Sequence, residues 1–338
     1  MARRRGWPER RGMPPCPTHA QAMTGYIIRR LIAVPFMLIG ISFILFMLIY
    51  IRPGSAAFIS IGSAMSDPAN IERFEERFGL NDPWYEQYGK WLGNALTGDF
   101  GVTLRTPHQP VADRLADHIG NTLQIGFITI IMAAIFGISV GVLSAVRRNS
   151  ILDYIFRGVT IAGISVPNFW VAILVVSLPA RWWNWTPLAT DWVSFTDDPF
   201  RNLSIIIWPA MILALASAAG TARLVRTSML EVFYSDYVRT ARSKGLREGR
   251  VIWSHVFRNS LIPVVTLIGL QTGAVLGGVV IAELIFGIPG LGTLTLGAVI
   301  AQDYPLVLSS LMLFAFVFVV VTLIVDVLYT VIDPRIRY

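Results

Sequence analysis

Six long apolar segments dominate this 338-residue chain and set what it can fold into. A helix needs about 20 apolar residues to cross a bilayer core about 30 Å thick. The runs lie approximately at 31–51, 122–146, 155–180, 203–222, 261–286 and 306–331. The fourth is short and contains Pro209, but removing it would export the basic segment that follows. We therefore predict an all-α polytopic membrane protein with six transmembrane helices.

The basic residues lie mainly between these runs. Only 14% of the residues are charged, against roughly 25% in soluble domains. Short cytoplasmic loops carry an excess of Lys and Arg, so we predict that both termini and the segment 223–260 are cytoplasmic. The segment 52–121 holds more acidic than basic residues and is expected to be external. The net charge of +7 thus reflects membrane orientation and predicts no nucleic-acid partner.

Residues 1–22 are rich in Arg and Pro and lack apolar periodicity, so we expect a disordered extension ahead of a transmembrane domain that fills 23–338. The sequence leaves open whether the mature protein keeps this extension. The first apolar run exceeds the 7–15 residues of a signal-peptide core, so it is predicted to be an uncleaved anchor. One cysteine and four scattered histidines show no metal-site spacing, and no catalytic residue or metal site is predicted.

The segment 223–260 carries eight basic residues against three acidic ones. Helical spacing of Met229, Val232, Val238 and Ala241, followed by Gly245, predicts a helix, a glycine turn and a second helix from about residue 247. Such a hairpin would present small residues to a partner surface. A solvated loop that only fixes topology is the alternative, and composition does not choose between them.

The stretch DYVRTARSKGLREGRVIWSHVFRNSLIPV, residues 236–264, resembles the permease signature of bacterial ABC importers. Aligned on Gly245, the EAA triplet of that signature falls on Arg239, Thr240 and Ala241, and its I-x-LP end falls on 255–258. Only Ala241 and Gly245 match the general form. The RTA triplet and the H-x-x-RN stretch instead resemble the dipeptide/oligopeptide (Dpp/Opp) branch.

Four further stretches, in the order that this branch has them, extend the resemblance to most of the chain from Met23. They are TGYIIRRLIAVPFMLIGISFILF (24–46), GLNDPWYEQYGKWLGNALTGDFG (79–101), IFGIPGLGTLTLGAVIAQDYP (285–305) and DVLYTVIDPRIRY (326–338). The chain is similar to the first, or B-type, permease subunit. The resemblance implies the type I ABC importer permease fold and a coupling loop that docks on an ATPase subunit. The coupling residues it implies are Arg239, Thr240, Ala241, Arg242, Gly245, Leu246, His255 and Arg258.

The chain has no GxxxxGK[ST] phosphate-binding loop, so it cannot be its own motor. The resemblance implies a non-catalytic permease of the bacterial cytoplasmic membrane, with two separate ATPase subunits or domains that use ATP and Mg. It also implies a second permease, as a heterodimer, and an extracellular substrate-binding protein. Di- or oligopeptides are the expected cargo, and nickel chelates, heme, glutathione or sugars are the alternatives.

Polar residues in or beside the spans are candidates for lining a translocation path, because polar groups avoid lipid. They are Gln124, Asn168, Gln271 and Thr272. Hydrogen bonding to a neighbouring helix is the alternative for each. Glycines four residues apart, at 269, 273 and 277 and at 137 and 141, predict close helix packing rather than a special contact between permeases.

Two acids near span ends, Glu283 and Asp326, are predicted to form structural ion pairs, with Arg335 as one reachable partner. The cluster of Gly and Pro over 287–292 predicts an external turn or a short re-entrant piece.

Two other classes of protein stay open on the residues alone. An intramembrane enzyme would need convergent catalytic groups in the spans, which are not evident. An ion-driven secondary transporter would work without an ATPase partner.

Overall fold

The computed structural model describes residues 19–51, 82–104 and 107–332, with side chains described for 28–327 within those ranges. Residues 1–18 of the predicted extension lie outside these ranges, as do 52–81 and 105–106 of the predicted external segment, whereas 19–22 are helical. The helices are α1 (His19–Tyr50), α2 (Trp84–Thr97), α3 (Val111–Val146), α4 (Ile151–Ser165), α5 (Asn168–Trp183), α6 (Pro199–Phe233), α7 (Asp236–Ser243), α8 (Glu248–Arg250), α9 (Arg258–Phe286), α10 (Leu291–Ala301) and α11 (Tyr304–Ile332). A seven-residue π-helix, Val251–Phe257, joins α8 to α9.

Five helices are long and apolar enough to cross a membrane, and the pair α4 and α5 would supply a sixth span if counted as one. Helices α3 and α6 have 36 and 35 residues, so each is roughly 50 Å long at about 1.5 Å per residue. Both exceed the apolar runs that predicted them. The fourth predicted span, 203–222, is the middle of α6, and the first part of the predicted loop 223–260 is its last three turns.

The predicted third span, 155–180, does not form one straight helix. Helices α4 and α5 meet at a bend of 98° around Val166 and Pro167. Pro167 disfavours helical geometry at the residue before it, and Val166 is extended, with φ −91° and ψ 125°. The span is therefore broken near its middle.

Helices α3 and α6 pack closely through glycine. A Cβ atom at Gly137 would lie 2.6 Å from Thr221 Cβ, and one at Gly141 would lie 2.6 Å from Val225 Cβ. On α9, a Cβ at Gly273 would lie 2.8 Å from a ring carbon of Phe318 on α11, whereas Gly277 has nothing within 4 Å. Four of the five predicted packing glycines thus lie at helix contacts, since Gly269 also meets Val325.

The bundle has a buried cluster at each end. At one end Val142, Val225, Val238, Val251 and Val264 pack together, which joins α3, α6 and α9 to the short helices of 236–257. At the other end Val111 and Leu115 of α3 pack on Leu291 and Leu294 of α10 and on Leu306 of α11. Helix α3 runs from one cluster to the other, so the two ends are linked by continuous helix.

The aromatic residues of α2 lie beside α1. The Tyr88 hydroxyl is 2.9 Å from Ser42 Oγ, and the rings of Phe43 and Tyr88 meet edge to face with centroids 5.5 Å apart. Much of the rest of α1 is exposed, including Phe36 at 71% and Leu48 at 67%. This surface suits lipid or a partner helix.

The two predicted ion pairs have different outcomes. Asp326 pairs with Arg30 of α1 at 3.2 Å, while Arg335 lies outside the described residues. For Glu283 the prediction is wrong, because its buried carboxylate has hydrogen bonds and no ion pair among the residues that the structure describes. It accepts from Thr122 Oγ1 at 2.6 Å and from the Gly292 amide at 2.7 Å.

The turn predicted over 287–292 is present. Gly287 has φ +70° and ends α9, and Glu283 then holds the first turn of α10 in place. Asn121 of α3 donates to the Pro289 carbonyl at 2.7 Å. The turn is therefore fixed to both α3 and α9.

Candidate functional site

A compact hairpin, residues 234–257, follows α6. Helix α7 forms its first arm, and α8 with the π-helix forms its second. Gly245 lies between the arms with φ +77°, a conformation that strains any residue with a Cβ. Its amide donates to the Arg242 carbonyl at 2.9 Å. The predicted helix, glycine turn and second helix are thus present, with the second helix starting at Glu248.

One face of α7 fixes the hairpin to the bundle. Val238 is fully buried and Ala241 is 6% exposed, and both pack in the cluster that contains Val142 of α3 and Met229 of α6. Burying such side chains stabilises a fold by about 1–3 kcal/mol each. The hairpin therefore moves with the ends of α3 and α6.

An ion pair closes the hairpin across its turn. The Arg242 guanidinium donates two hydrogen bonds to Glu248, with Nη2 to Oε1 at 2.6 Å and Nε to Oε2 at 3.2 Å. This hydrogen bonding raises the pKa of Arg242 above its usual value. Two parallel bonds fix the orientation of the pair as well as its distance. The pair ties α7 to α8.

The opposite face of the hairpin is open. Arg239, Thr240, Gly245 and Arg258 are exposed, and so in part is Arg242. Leu246 and His255 are half-buried. Ala241 differs from the expectation of an outward small residue, since its side chain faces the chain's own cluster. The structure thus brings most of the predicted coupling residues to one exposed end of the molecule.

The π-helix makes the second arm continuous with α9. Helix from Glu248 to Phe286 has no break, so a displacement of the hairpin is carried directly into a span. Asn259 Nδ2 donates to the His255 carbonyl at 2.8 Å and to Tyr237 Oη at 3.1 Å, which also ties the arm to α7. A π-helix interrupts the normal hydrogen-bond register and is frequent at functional sites.

A buried carboxylate beside the hairpin was not found from the sequence. Asp153 of α4 is fully buried and accepts from Arg226 of α6 through Nε at 2.9 Å and Nη2 at 3.0 Å. It also accepts from Ser144 Oγ at 2.5 Å and pairs with Arg157 at 3.2 Å. Asp153 therefore joins α3, α4 and α6 close to the hairpin. The signal available in the sequence was one acidic residue in a segment whose other charged residues are basic, which indicates an ion pair.

The candidate path residues do not meet in one place. Gln124 Nε2 donates to Asn202 Oδ1 at 2.7 Å, between α3 and α6. Gln271 donates to the Ser217 carbonyl and accepts from Thr221 Oγ1, both at 3.2 Å, between α9 and α6. Thr272 is buried and donates to its own helix at Ile268. Gln124 and Gln271 thus bond a neighbouring helix, which was the alternative to lining a path, whereas Thr272 bonds only its own helix.

Asn168 is different because it lines a cavity. It begins α5 at the break in the third span and faces a cavity of about 180 Å³ whose other walls are mainly apolar. The described residues hold no group of three His, Cys, Asp or Glu side chains able to bind a metal.

A bundle with five or six helical spans able to cross a membrane defines a multi-pass membrane protein. The family model described as "Binding-protein-dependent transport system inner membrane component" matches residues 137–338, and the amino-terminal model of the same family matches 23–117. The chain therefore belongs to this family of non-catalytic permease subunits.

Curated relatives cover nearly the whole chain. The oligopeptide transport system permease protein AppB of Bacillus subtilis is 38% identical over 94% of this chain and 100% of that protein. The dipeptide transport system permease protein DppB of Escherichia coli is 36% identical over 94% of this chain and 99% of that protein.

Solved structures show the same fold at lower identity. The inward-facing MetNI methionine ABC transporter matches with a TM-score of 0.51 and 16% identity, over 65% of this chain and 96% of that one. An amino acid ABC transporter solved with histidines matches with a TM-score of 0.50 and 14% identity, over 66% of this chain and 94% of that one. The predicted type I ABC importer permease fold is confirmed.

Proposed function

We propose that this chain is the membrane permease subunit of an ATP-driven importer of di- or oligopeptides. The observation that carries the proposal is the hairpin, an exposed surface fixed by its inner face to the ends of α3 and α6 and continuous with α9. Relatives named as oligopeptide and dipeptide permeases, which match 94% of this chain, support the peptide cargo. The chain forms half of the translocation path in the bacterial cytoplasmic membrane, with both termini and the hairpin in the cytoplasm.

The other half of the path comes from a second permease, which makes a heterodimer. Two ATPase subunits or domains bind and hydrolyse ATP with Mg, since this chain holds no phosphate-binding loop. An extracellular binding protein delivers the peptide to the other end of the bundle. Membership of a binding-protein-dependent family supports this assembly.

The hairpin transmits movement rather than performing chemistry. Closure of the ATPases displaces the exposed residues around Thr240 and Gly245. Because Val238 is locked among α3 and α6 side chains, those helices must follow. The same movement enters α9 through the π-helix. Movement of helices α3, α6 and α9 then changes the side of the membrane to which the translocation path is open.

A transport assay with a docking variant tests the proposal. The complex is reconstituted in liposomes with its ATPase subunits and binding protein, and ATP-dependent uptake of a labelled dipeptide is measured. Gly245→Trp adds bulk where a side chain meets nothing within 4 Å in this chain, so we expect normal insertion with lost ATPase co-purification and lost uptake. Gly93→Trp controls for the added bulk, because Gly93 is also open but lies in α2 and should keep its ATPase. Gly245→Ala controls for the backbone strain at φ +77°, since it adds the strain without the bulk and should also keep its ATPase.

Three results would reject parts of the proposal. Normal ATPase co-purification and uptake in Gly245→Trp would reject docking through the hairpin. Uptake without any ATPase, driven by an ion gradient, would indicate a secondary transporter. Uptake of a nickel chelate, heme, glutathione or a sugar in place of the dipeptide would support the ATP-driven importer but reject peptides as its substrate.

A further inference from the structure

A large cavity lies at the opposite end of the bundle from the hairpin. Its volume is about 610 Å³, within the roughly 300–1,000 Å³ typical of small-molecule sites. It opens between the first turns of α3 and helix α10, above the fixed turn at Pro289. With the hairpin in the cytoplasm, this cavity faces the side from which substrate arrives.

Two basic side chains of α3 form one wall. Arg114 and His118 are four residues apart, so they project from the same face of the helix, and both are half-buried. His118 Nδ1 lies 2.7 Å from the Arg114 carbonyl oxygen, which can only accept, so Nδ1 carries the proton. The other ring nitrogen of neutral His118 is then a hydrogen-bond acceptor.

The acid on the opposite wall does not form an ion pair with Arg114. This acid, Asp303, already accepts from the Leu104 amide at 3.0 Å and from the Leu306 amide at 3.4 Å. Within the described part of the chain, the Arg114 guanidinium has no carboxylate partner. The remaining wall includes small or apolar residues such as Gly297, Ala301 and Ile288. It also has uncharged polar residues, namely Thr103, Gln109 and Thr293. The cavity is thus roomy, and one wall presents a guanidinium that has no carboxylate partner among the described residues.

A half-buried guanidinium with room in front of it favours an anion with two parallel oxygen atoms. Arginine binds carboxylates in this bidentate way, and such charge-assisted bonds are stronger than neutral ones. Apolar neighbours suit the body of a small organic molecule better than a hydrated inorganic ion. A peptide meets both needs, because its terminal carboxylate is attached to a compact, partly apolar body.

We propose that this cavity is an entry site on the permease, in which Arg114 binds the carboxylate of the incoming substrate. His118 is available to accept a hydrogen bond from a peptide N–H group. The inference rests on the proposed peptide function for the identity of the substrate.

Protection of a cysteine in the cavity wall tests this site without requiring transport. Ala301→Cys is introduced with Cys16→Ser, which removes the chain's single native cysteine. In the purified full complex, the rate of modification by a small thiol reagent is measured with alanyl-alanine or with its carboxy-terminal amide. We expect the free acid to slow modification at concentrations where the amide does not.

Arg114 variants show whether the guanidinium is responsible. In Arg114→Gln the half-protecting concentration of the acid should rise about tenfold or more, since hydrogen bonds to charged groups contribute about 1.5–3 kcal/mol. Arg114→Lys should keep part of the protection. Arg181→Gln, which removes an exposed arginine outside the cavity wall, should leave protection unchanged. Unfolding temperatures of all variants establish that they are folded.

Equal protection by acid and amide, or protection that survives Arg114→Gln, would overturn the proposal. The proposal would also be overturned if the binding protein protected the cysteine in an Arg114-dependent way and free dipeptide did not. Arg114 would then bind a carboxylate of the binding protein. A complex that moves dipeptides yet fails this test rejects the entry site alone. A complex that moves no peptide rejects the proposed cargo, whatever the protection shows.

Discussion

At the scale of single residues, the Asp153–Arg226 pair is a buried electrostatic contact near the hairpin. Asp153 is fully buried in its side chain, and Arg226 is 21% exposed. Removing one partner of a buried pair leaves an uncompensated charge, which typically costs about 3–5 kcal/mol. The pair joins α4 to α6, so its loss should loosen the end of the bundle on which the hairpin rests.

We expect Asp153→Asn to lower the free energy of unfolding by about 3 kcal/mol, because the amide keeps the shape but leaves Arg226 without its counter-charge. Asp236→Asn is the matched control, since Asp236 and Arg239 pair at 2.9 Å with both side chains more than 80% exposed. Exposed pairs contribute about 0–1 kcal/mol. Thermal unfolding of the purified chain in detergent, followed by tryptophan fluorescence, measures both. Equal shifts in the two variants would show that Asp153 does not hold these helices together.

Gly245 provides a second test at this scale, because its requirement comes from backbone geometry alone. With φ +77° and open space around it, an added methyl group meets no neighbour but strains the backbone by about 1–2 kcal/mol. Gly245→Ala should therefore speed amide hydrogen exchange in the hairpin. Gly245→Asn should do so less, since Asn tolerates the left-handed region better. Identical exchange in the two variants would contradict this account.

At the scale of helices, the contact between α3 and α6 carries the link between the two ends. It depends on Gly141, where a Cβ would lie 2.7 Å from the Ala222 carbonyl oxygen as well as against Val225. Backbone cannot move away as a side chain can, so the helices themselves would have to separate. Overpacking of this kind typically costs about 1–3 kcal/mol.

Gly141→Ala should therefore destabilise the protein, although alanine is the better helix former by about 1 kcal/mol. Gly277→Ala is the control, because Gly277 is also within a spanning helix but has nothing within 4 Å of the added atom. We expect a lower unfolding temperature for the first and an equal or higher one for the second. A stabilised Gly141→Ala variant would mean that α3 and α6 are not held at this distance.

The helices were predicted from their apolar runs, which explains why the spans were found and why their ends and breaks were not. The runs mark only the part of a helix inside lipid, so the extensions of α3 and α6 beyond it were not predicted. The sequence signal for the break was the position of Val166 directly before Pro167. The length of the apolar run nevertheless favoured one span. The π-helix at Val251–Phe257 leaves no mark in hydropathy, because one extra residue per turn changes the register and not the composition.

The candidate site, like the fold, was predictable only in part from the sequence. The turn at Gly245 and the helices beside it follow from local spacing. The inward face of Ala241 does not, because it depends on Val142 and Met229, which are distant in sequence. The pairing of Asp153 with Arg226, 73 residues apart, has the same cause, as does the hydrogen-bonded rather than ion-paired state of Glu283.

At the scale of the whole molecule, the hairpin and the cavity near Arg114 are the two ends of one set of helices. Helix α3 carries Arg114 at its first turn and packs against the hairpin through Val142 near its last. Helix α9 connects the π-helix to the turn that borders the cavity. A displacement at either end therefore has a direct route to the other.

This geometry predicts that nucleotide bound to the ATPase partners changes the cavity. In the full complex with Ala301→Cys as the only cysteine of this chain, ATP with vanadate should change the rate of thiol modification. Gly245→Trp is expected to lose its ATPase subunits, so its rate should stay at the nucleotide-free value when ATPase, ATP and vanadate are added together. Leu96→Cys is the control reporter, because Leu96 is 81% exposed in α2 and lies outside the cavity wall, so its rate should not respond. A response at Ala301→Cys that persists in Gly245→Trp would mean that movement reaches the cavity by a route other than the hairpin.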